Sequence, residues 1–424
     1  MNVVEIEQAC RSLLIYRNLF RDEIGQAFLA LVRSLDQPDE ALEAYSRWFF
    51  ELAQARLGWR EYLLLRILGD ENPFTTQNDA LSPALIEAVK HDLRKLQLVY
   101  QCSSDQIHQW IQKSTVEWVD FISENRSDLR ATEILKVRSQ LESLEDWADA
   151  IADLNSFYRK FGTGIFAEFY AFRWQSGQFI AIANPDPIAT EMLIGYETQR
   201  DTLLKNTEFL LSGLPALHIL LYGSRGSGKS SLVKSLLGKY RDRSLRLIEV
   251  AKSELRDLPA IVEQLRDQPQ KFVIFVDDLS FEEDDDAYKA LKVVLEGNLT
   301  ARPQNVVVYA TSNRRHLVRE FFDDRPRPRD ADEIHNWDTV QEKLSFSDRF
   351  GLTLTFEPAD QNTYLKIIHH LAQQEGISLS SEALQFQALQ WATRHNGRSG
   401  RTARQFIDFL KSDLMTTTRS EVRS

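Results

Sequence analysis

The chain has 424 residues, of which 43% are hydrophobic and 27% charged, with 17 Gly, 12 Pro and a formal net charge of −11. That length suggests about three domains at roughly 150 residues each, and the composition is that of a globular protein with a sizeable core, which excludes collagenous, low-complexity and disordered classes. The acidic balance argues against wholesale binding of a nucleic-acid backbone or an anionic membrane, and leaves room for a local basic patch.

The opening MNVVEIEQACRSLL carries acidic residues where a secretory leader would be basic, and its apolar positions are spaced for a helix. No run approaches the roughly 18 apolar residues of a membrane span. Cys10 and Cys102 are the two cysteines and form no C-x-x-C pair, so neither a disulfide framework nor a thiolate zinc site is expected. A cytoplasmic protein is the expectation.

Amphipathic helical stripes run to about Asn155. Between Ser82 and Tyr100, Leu85, Ile86, Val89, Leu93, Leu96 and Val99 make one stripe, with Ser82 placed to cap and Pro83 at the first helical position. Similar stripes cover Ala41 to Leu57, Ile107 to Ile122 and Leu144 to Leu154. Trp48, Trp59, Trp110, Trp118 and Trp147 fall among them, at a spacing that suits core packing better than a ligand box. Phe169 to Trp174 and Phe179 to Ile182, around a Ser176-Gly177 turn, predict a hairpin. Asn184-Pro185-Asp186-Pro187 interrupts regular structure. The expected boundary lies there, giving a helical N-terminal domain over 1–184 that ends in the hairpin.

Beyond it, Ile219 to Tyr222, Leu245 to Val250, Phe272 to Val276 and Val306 to Ala310 are β-rich runs separated by helix-length segments. This alternation predicts an α/β fold with a parallel sheet covered on both faces. Behind the first run stands Gly223-Ser224-Arg225-Gly226-Ser227-Gly228-Lys229-Ser230, a complete G-x-x-x-x-G-K-[ST] phosphate loop between a strand and an amphipathic helix. The glycines let successive N–H groups turn inward as an anion nest, and the following helix adds its positive end. A polyphosphate is the natural occupant, with Lys229 expected on its β and γ oxygens and Ser230 on Mg²⁺; Ser231 completes the set expected around it. The strand Lys271 to Val276 ends in Asp277-Asp278, a Walker-B arrangement in which Asp277 would hold Mg²⁺ through water and Asp278 would orient the attacking water. Two carboxylates at a strand end also suit a helix cap. In the acidic run that follows, Glu282 is a second candidate base and the rest suits a solvated surface.

With these motifs in place the chain resembles the AAA+ superfamily of P-loop ATPases. That resemblance implies a nucleotide-binding core over 185–356 and a C-terminal helical lid over 357–424. It also implies roles for single residues: Asn313, at the end of VVVYATSN, as sensor 1; Arg349, in KLSFSDRF, as an arginine finger presented to a neighbouring subunit; Arg401, or else Arg404, in GRSGRTAR, as sensor 2. Ile194 and Gly195 of LIGYE would border the adenine. The phrases RLIEV, FVDDLSFEEDD, YKALKVVLEG, ARPQNVVVYATSNRRHL, EKLSFSDRFGL and GRSGRTARQFI are similar to the bacterial ATPases known as DUF 815, over roughly Pro185 to Leu410. One departure is Asp278, where AAA+ proteins more commonly carry Glu. No N-K-x-D or L-S-G-G-Q element supports a GTPase or a transport ATPase.

The adjacent pair His369-His370 suits packing better than metal binding. Arg314, Arg315 and Arg319, with Arg325 to Arg329 beyond, form a basic cluster that suits a solvated insertion, or contact with an acidic partner or a nucleic-acid strand. The whole reading is a cytoplasmic Mg-ATP hydrolase acting between subunits of a homo-oligomer on an unidentified protein client, without membrane or wholesale nucleic-acid binding. A slow-turnover, nucleotide-gated binding module and a small-molecule kinase are the alternatives, the latter leaving Asn313, Arg349 and Arg401 without a purpose.

Overall fold

A computed structural model describes residues 3–76, 81–102, 129–186, 194–281, 286–296, 303–313, 345–395 and 397–421. The chain divides into two units, Met1–Glu168 and Phe169–Ser424.

The first unit is helical. Its helices are α1 (Val3–Arg11), α2 (Glu23–Ser34), α3 (Pro38–Ala55), α4 (Trp59–Gly69), α5 (Pro83–Gln101), α6 (Leu129–Ser143), α7 (Ile151–Phe161) and α8 (Gly164–Glu168). The predicted cap is present: Leu85 N donates to Ser82 Oγ at 3.3 Å, and Pro83 occupies the first turn of α5. Val89, Leu93, Leu96 and Val99 of that stripe are fully buried. The stripe Leu144 to Leu154 is not one helix. Asp146 receives Ala148 N at 2.9 Å and starts a 3₁₀ turn, Trp147–Ala150, ahead of α7, because a short acidic side chain competes for the first free amides. Trp48, Trp59 and Trp147 are core residues, with the Trp59 ring 4.0 Å from Phe28 and 5.4 Å from Trp48. Trp110, Trp118 and the stripe Ile107 to Ile122 lie outside the described residues. Fully buried Asp92 accepts the amides of Leu14, Ile15 and Tyr16 at 2.9, 2.7 and 3.0 Å, fastening the chain after α1 to α5. Cys10 and Cys102 are free thiols whose pKa values burial pushes up to about 12.

The second unit is an α/β layered structure on a seven-stranded sheet of order β2-β1-β4-β5-β6-β3-β7. The strands are β1 (Ala171–Gln175), β2 (Gln178–Ala181), β3 (Ile219–Gly223), β4 (Leu245–Val250), β5 (Lys271–Val276), β6 (Val306–Ser312) and β7 (Leu352–Phe356). All neighbours are parallel except β1 and β2. Phe272 to Val276 are all fully buried, as a strand covered on both faces requires. The helices of this part are α9 (Glu197–Leu211), α10 (Lys229–Tyr240), α11 (Leu258–Leu265) and α12 (Asp286–Glu296). Three more, α13 (Gln361–Gln374), α14 (Ser381–Arg394) and α15 (Gly400–Glu421), pack around Tyr364, Ile368, Ala388, Ala403 and Ile407. This small core lies within the second unit.

The predicted hairpin forms, but not where the sequence put it. Ser176 and Gly177 both have positive φ, 51° and 81°, the backbone of a two-residue turn whose twist matches its strands. Instead of closing the helical domain, β1 pairs in parallel with β4, from Ala171 opposite Leu247 to Trp174 opposite Val250. The boundary therefore falls at Glu168/Phe169 rather than after Asn184. An isolated hairpin is marginal in water. Docking on β4 buries Phe172 and Trp174, and Trp174 Nε1 donates to Asp257 Oδ2 at 2.8 Å. Among the described residues no helix is long and apolar enough to cross a membrane.

Candidate nucleotide site

The site lies at the carboxyl ends of β3, β5 and β6, where α/β sheets bind ligands because strand order reverses there. Strand β3 leads into the phosphate loop at Gly223, whose φ is 147°; a Cβ there would stand 2.0 Å from the Phe356 carbonyl oxygen of β7. Glycine is thus imposed by the neighbouring strand, which also accepts Ser224 N at 3.2 Å. Gly226 and Gly228 have φ of 75° and 90°, and α10 starts at Lys229 with no side-chain cap, leaving its first amides available to a ligand.

Lys229 Nζ donates to the carbonyls of Gly223 and Ser224 at 2.9 and 2.7 Å and to Asn313 Oδ1 at 3.3 Å. Burial pushes its pKa down, opposed by the charges of Asp277 and Asp278. Ser230 Oγ donates to Asp277 Oδ1 at 2.6 Å, so a hydroxyl and a carboxylate from two different elements form a hard-oxygen pair. That pair fits Mg²⁺, which takes few protein ligands and completes its shell with phosphate and water.

Thr311, absent from the sequence expectations, joins Asp277 and Asp278. Its hydroxyl donates to Asp277 Oδ1 at 2.5 Å and accepts Asp278 N at 3.0 Å, while its carbonyl accepts Leu279 N at 2.7 Å. These bonds hold Asp278 at a left-handed φ of 51°, unusual for a residue with a side chain. Asn313 Nδ2 then donates to Asp278 Oδ1 at 2.7 Å. The available signal was period two: Asn313, one residue beyond β6, follows Thr311 by two positions.

A cavity of about 850 Å³ brings together Arg225, Gly226, Ser227, Gly228, Lys229, Ser230 and Ser231 with Asp277, Asp278 and Asn313. Ile194, Arg401 and Arg404 line it as well. Tyr196, Ile367 and Leu371 line it beside Ile194; nothing in the sequence marked these three, because Ile367 and Leu371 of α13 stand far along the chain from Tyr196. Gly223, Ser224, Gly195 and Arg349 do not line it. Gly195 instead approaches α13, where a Cβ would stand 2.4 Å from Thr363 Cγ2, and its N–H donates to Glu197 Oε1 at 2.9 Å.

Arg401 N donates to Gly226 O at 3.2 Å, tying the start of α15 to the phosphate loop. Arg404 is engaged by Glu375 at 2.9 Å and Asp408 at 3.0 Å, whereas the exposed Arg401 guanidinium is in no ion pair among the described residues. Arg349, in the turn Ser345–Arg349, pairs with Glu296 of α12. Glu282, Arg314, Arg315, Arg319 and Arg325 to Arg329 lie outside the described residues.

The family model "Protein of unknown function (DUF815)" matches residues 167–414, more than half of the chain. Its start lies two residues before the boundary at Glu168/Phe169, and the match takes in the hairpin. No curated protein matches. Among solved structures, a point mutant of RuvB from Thermotoga maritima is 17% identical with a TM-score of 0.38, over 55% of this chain and 68% of that one. The T. maritima RuvB Holliday junction branch migration motor is 14% identical with a TM-score of 0.33, over 53% and 72%. AMPPCP-bound DnaA from Aquifex aeolicus is 18% identical with a TM-score of 0.36, over 56% and 71%. With a family match spanning the whole parallel α/β sheet and most of the helices that follow it, the chain belongs to the DUF815 family.

Proposed function

We propose that this protein binds Mg-ATP and hydrolyses it at sites shared between subunits of a homo-oligomer, as a cytoplasmic AAA+ ATPase acting on an unidentified protein client. The observation that carries this reading is the convergence of Lys229, Ser230, Asp277 and Asn313 from the ends of β3, β5 and β6 within bonds of 2.6 to 3.3 Å. The loop Gly223 to Ser230 would cradle the phosphates, with the start of α10 adding its positive end. Lys229, now held by two loop carbonyls, is placed to turn its charge to the β and γ oxygens.

Ser230 and Asp277 would hold Mg²⁺, which when bound neutralises charge on the phosphate oxygens. Asp278 and Asn313, already bonded to each other, are positioned to orient a water on the γ-phosphate. Arg401, rooted in the loop through Gly226, is the better sensor-2 candidate because Arg404 is occupied by two carboxylates. Ile194 supplies an apolar wall for a base, with Gly195 shaping the turn beside it. Arg349 stands outside its own chain's cavity, which suits action on a neighbour's nucleotide.

The test is steady-state phosphate release and nucleotide affinity of Arg349→Ala. Retained affinity with most turnover lost supports the intersubunit mechanism; wild-type turnover rejects it. Solution mass with and without Mg-ATP tests the oligomer. A second reading, a slow-turnover nucleotide-gated binding module, is favoured by the short Asp278 carboxylate being engaged by Asn313. Tight ATP binding with negligible phosphate release in the wild type would select it.

A further inference from the structure

A second cavity, of about 1160 Å³, is lined by the phosphate loop and by the turn joining α14 to α15. Four arginines line it: Arg225 from the loop, Arg394 from the last turn of α14, Arg398 from the connecting turn and Arg401 from the first turn of α15. All four are exposed, and no Asp or Glu is among the lining residues. Arg225, Arg394 and Arg401 are in no ion pair among the described residues, and Arg398 donates only to the neutral Gln361 Oε1, at 3.1 Å. Asp360, whose charge is felt by Arg398, does not line the cavity; it caps α13 by accepting Thr363 N at 2.7 Å. The exposed His395 imidazole lies on the same wall, stacked on Trp391 with ring centroids 4.0 Å apart and an interplanar angle of 17°.

Four guanidinium groups sharing a cavity that no carboxylate lines repel one another, and in a chain of net charge −11 such a gathering is a local exception. A helix C-terminus accounts for Arg394 alone. The walls offer Pro358, Ala359 and Ala392 as their apolar groups, with no large aromatic or aliphatic anchor of the kind that centres a protein interface. The surface therefore suits a ligand that brings negative charge and flat rings without bulky apolar side chains. Planar guanidinium groups match phosphate oxygens, and a stacked imidazole offers a platform to a base. The overall acidity does not oppose this at close range, because charges beyond about 8 Å are screened at physiological salt.

We propose that this cavity is a binding site for the phosphodiester backbone of a single-stranded nucleic acid, with Arg225, Arg394 and Arg398 on phosphates and His395 beneath a base. It adjoins the nucleotide cavity, since Arg225, Gly226, Arg401 and Gln405 line both and Arg401 N is bonded to Gly226 O at 3.2 Å. Strand binding and ATP binding are then thermodynamically linked, each changing the other's affinity by the same factor. The proposal does not depend on hydrolysis or on Arg349.

The test is binding of a fluorescently labelled single-stranded oligonucleotide to the full chain across a salt series, comparing wild type with the double variant Arg394→Glu, Arg398→Glu. We expect at least a tenfold loss of oligonucleotide affinity in the variant and a salt slope shallower by about 1.4, from roughly 0.7 per phosphate contact on a single strand. ATP affinity measured without oligonucleotide should stay at the wild-type value, which shows that fold and phosphate loop are intact. Absence of binding by the wild type, or equal oligonucleotide affinity in both proteins, overturns the proposal. So does displacement of the strand by inorganic pyrophosphate as effective as by unlabelled oligonucleotide, which would assign the cavity to a free phosphate ligand. Preferential, variant-sensitive binding of polyglutamate would assign it to an acidic protein and also overturn it.

Discussion

Thr311 Oγ1 lies 2.5 Å from Asp277 Oδ1, and the same oxygen accepts the Asp278 amide at 3.0 Å. One buried hydroxyl thus fixes both carboxylates at the end of β5. Thr311→Val removes the donor and the acceptor at nearly constant volume. We expect turnover to fall by 10- to 100-fold, while ATP affinity without Mg²⁺ changes less than threefold, on the scale of about 1.5–3 kcal/mol for hydrogen bonds to charged groups. Thr311→Ser should restore most of the turnover. Single-turnover phosphate release with a Mg²⁺ titration checks this, and a wild-type rate in the valine variant rejects the positioning role.

Lys229 and Arg349 should separate binding from chemistry. Lys229→Ala removes the amine that faces the loop and is expected to abolish measurable ATP binding by calorimetry. Arg349→Ala should keep affinity within about twofold and lose more than 90% of turnover, on the 10³- to 10⁵-fold scale of arginine fingers. Mixing the Arg349→Ala and Lys229→Ala proteins should recover activity, because an active site would then draw its loop from one subunit and its arginine from the other.

Gly223 tests the loop's backbone. An added methyl would stand 2.0 Å from the Phe356 carbonyl, at a φ of 147°. Gly223→Ala should lower the melting temperature and weaken ATP binding at least tenfold, whereas Gly177→Ala, where nothing lies within 4 Å, should leave ATP binding unchanged. Equal ATP affinities in the two variants would contradict the close approach of β7.

Asp92 is a stability determinant of the helical unit. Asp92→Ala leaves the amides of Leu14, Ile15 and Tyr16 without their acceptor, which should cost about 3 kcal/mol on the scale of 1–3 kcal/mol for an unsatisfied buried group. Asp92→Asn, which keeps one acceptor oxygen, should lose less. Urea unfolding followed by tryptophan fluorescence reads the difference through Trp48, Trp59 and Trp147.

The C-terminal helices should loosen in acid. Glu375 accepts a 2.7 Å bond from Lys411 and lies beside Arg404, and these hold its carboxyl below the usual value of 4.5. A depressed folded-state pKa stabilises the folded form above the unfolded pKa, and that contribution is lost as pH falls through the folded one. Wild type should therefore melt above Glu375→Gln at pH 7, with the gap closing below about pH 4.5 and vanishing once the wild-type carboxyl is protonated. A gap that persists unchanged at pH 3 would contradict the ion-pair origin.

The sequence by itself determined the phosphate loop, the four strands that carry or flank it and the Ser82 cap, because each is written in neighbouring residues: glycine spacing, a continuous apolar run, a capping hydroxyl before proline. It also determined that residues 175–178 turn back on themselves. Only the tertiary structure decided that the resulting hairpin extends the sheet, since the open edge of β4 that receives Phe172 and Trp174 lies some seventy residues away. The same holds for Thr311 as the link between Asp277 and Asp278, for Tyr196, Ile367 and Leu371 as lining of the cavity, and for Arg401 rather than Arg404 standing clear of carboxylates. It holds too for Arg225 meeting Arg394 and Arg398 from distant turns. Backbone preference is local and leaves a periodic trace in the chain. Which side chains share a cavity depends on packing between distant elements, and one sequence leaves no trace of that.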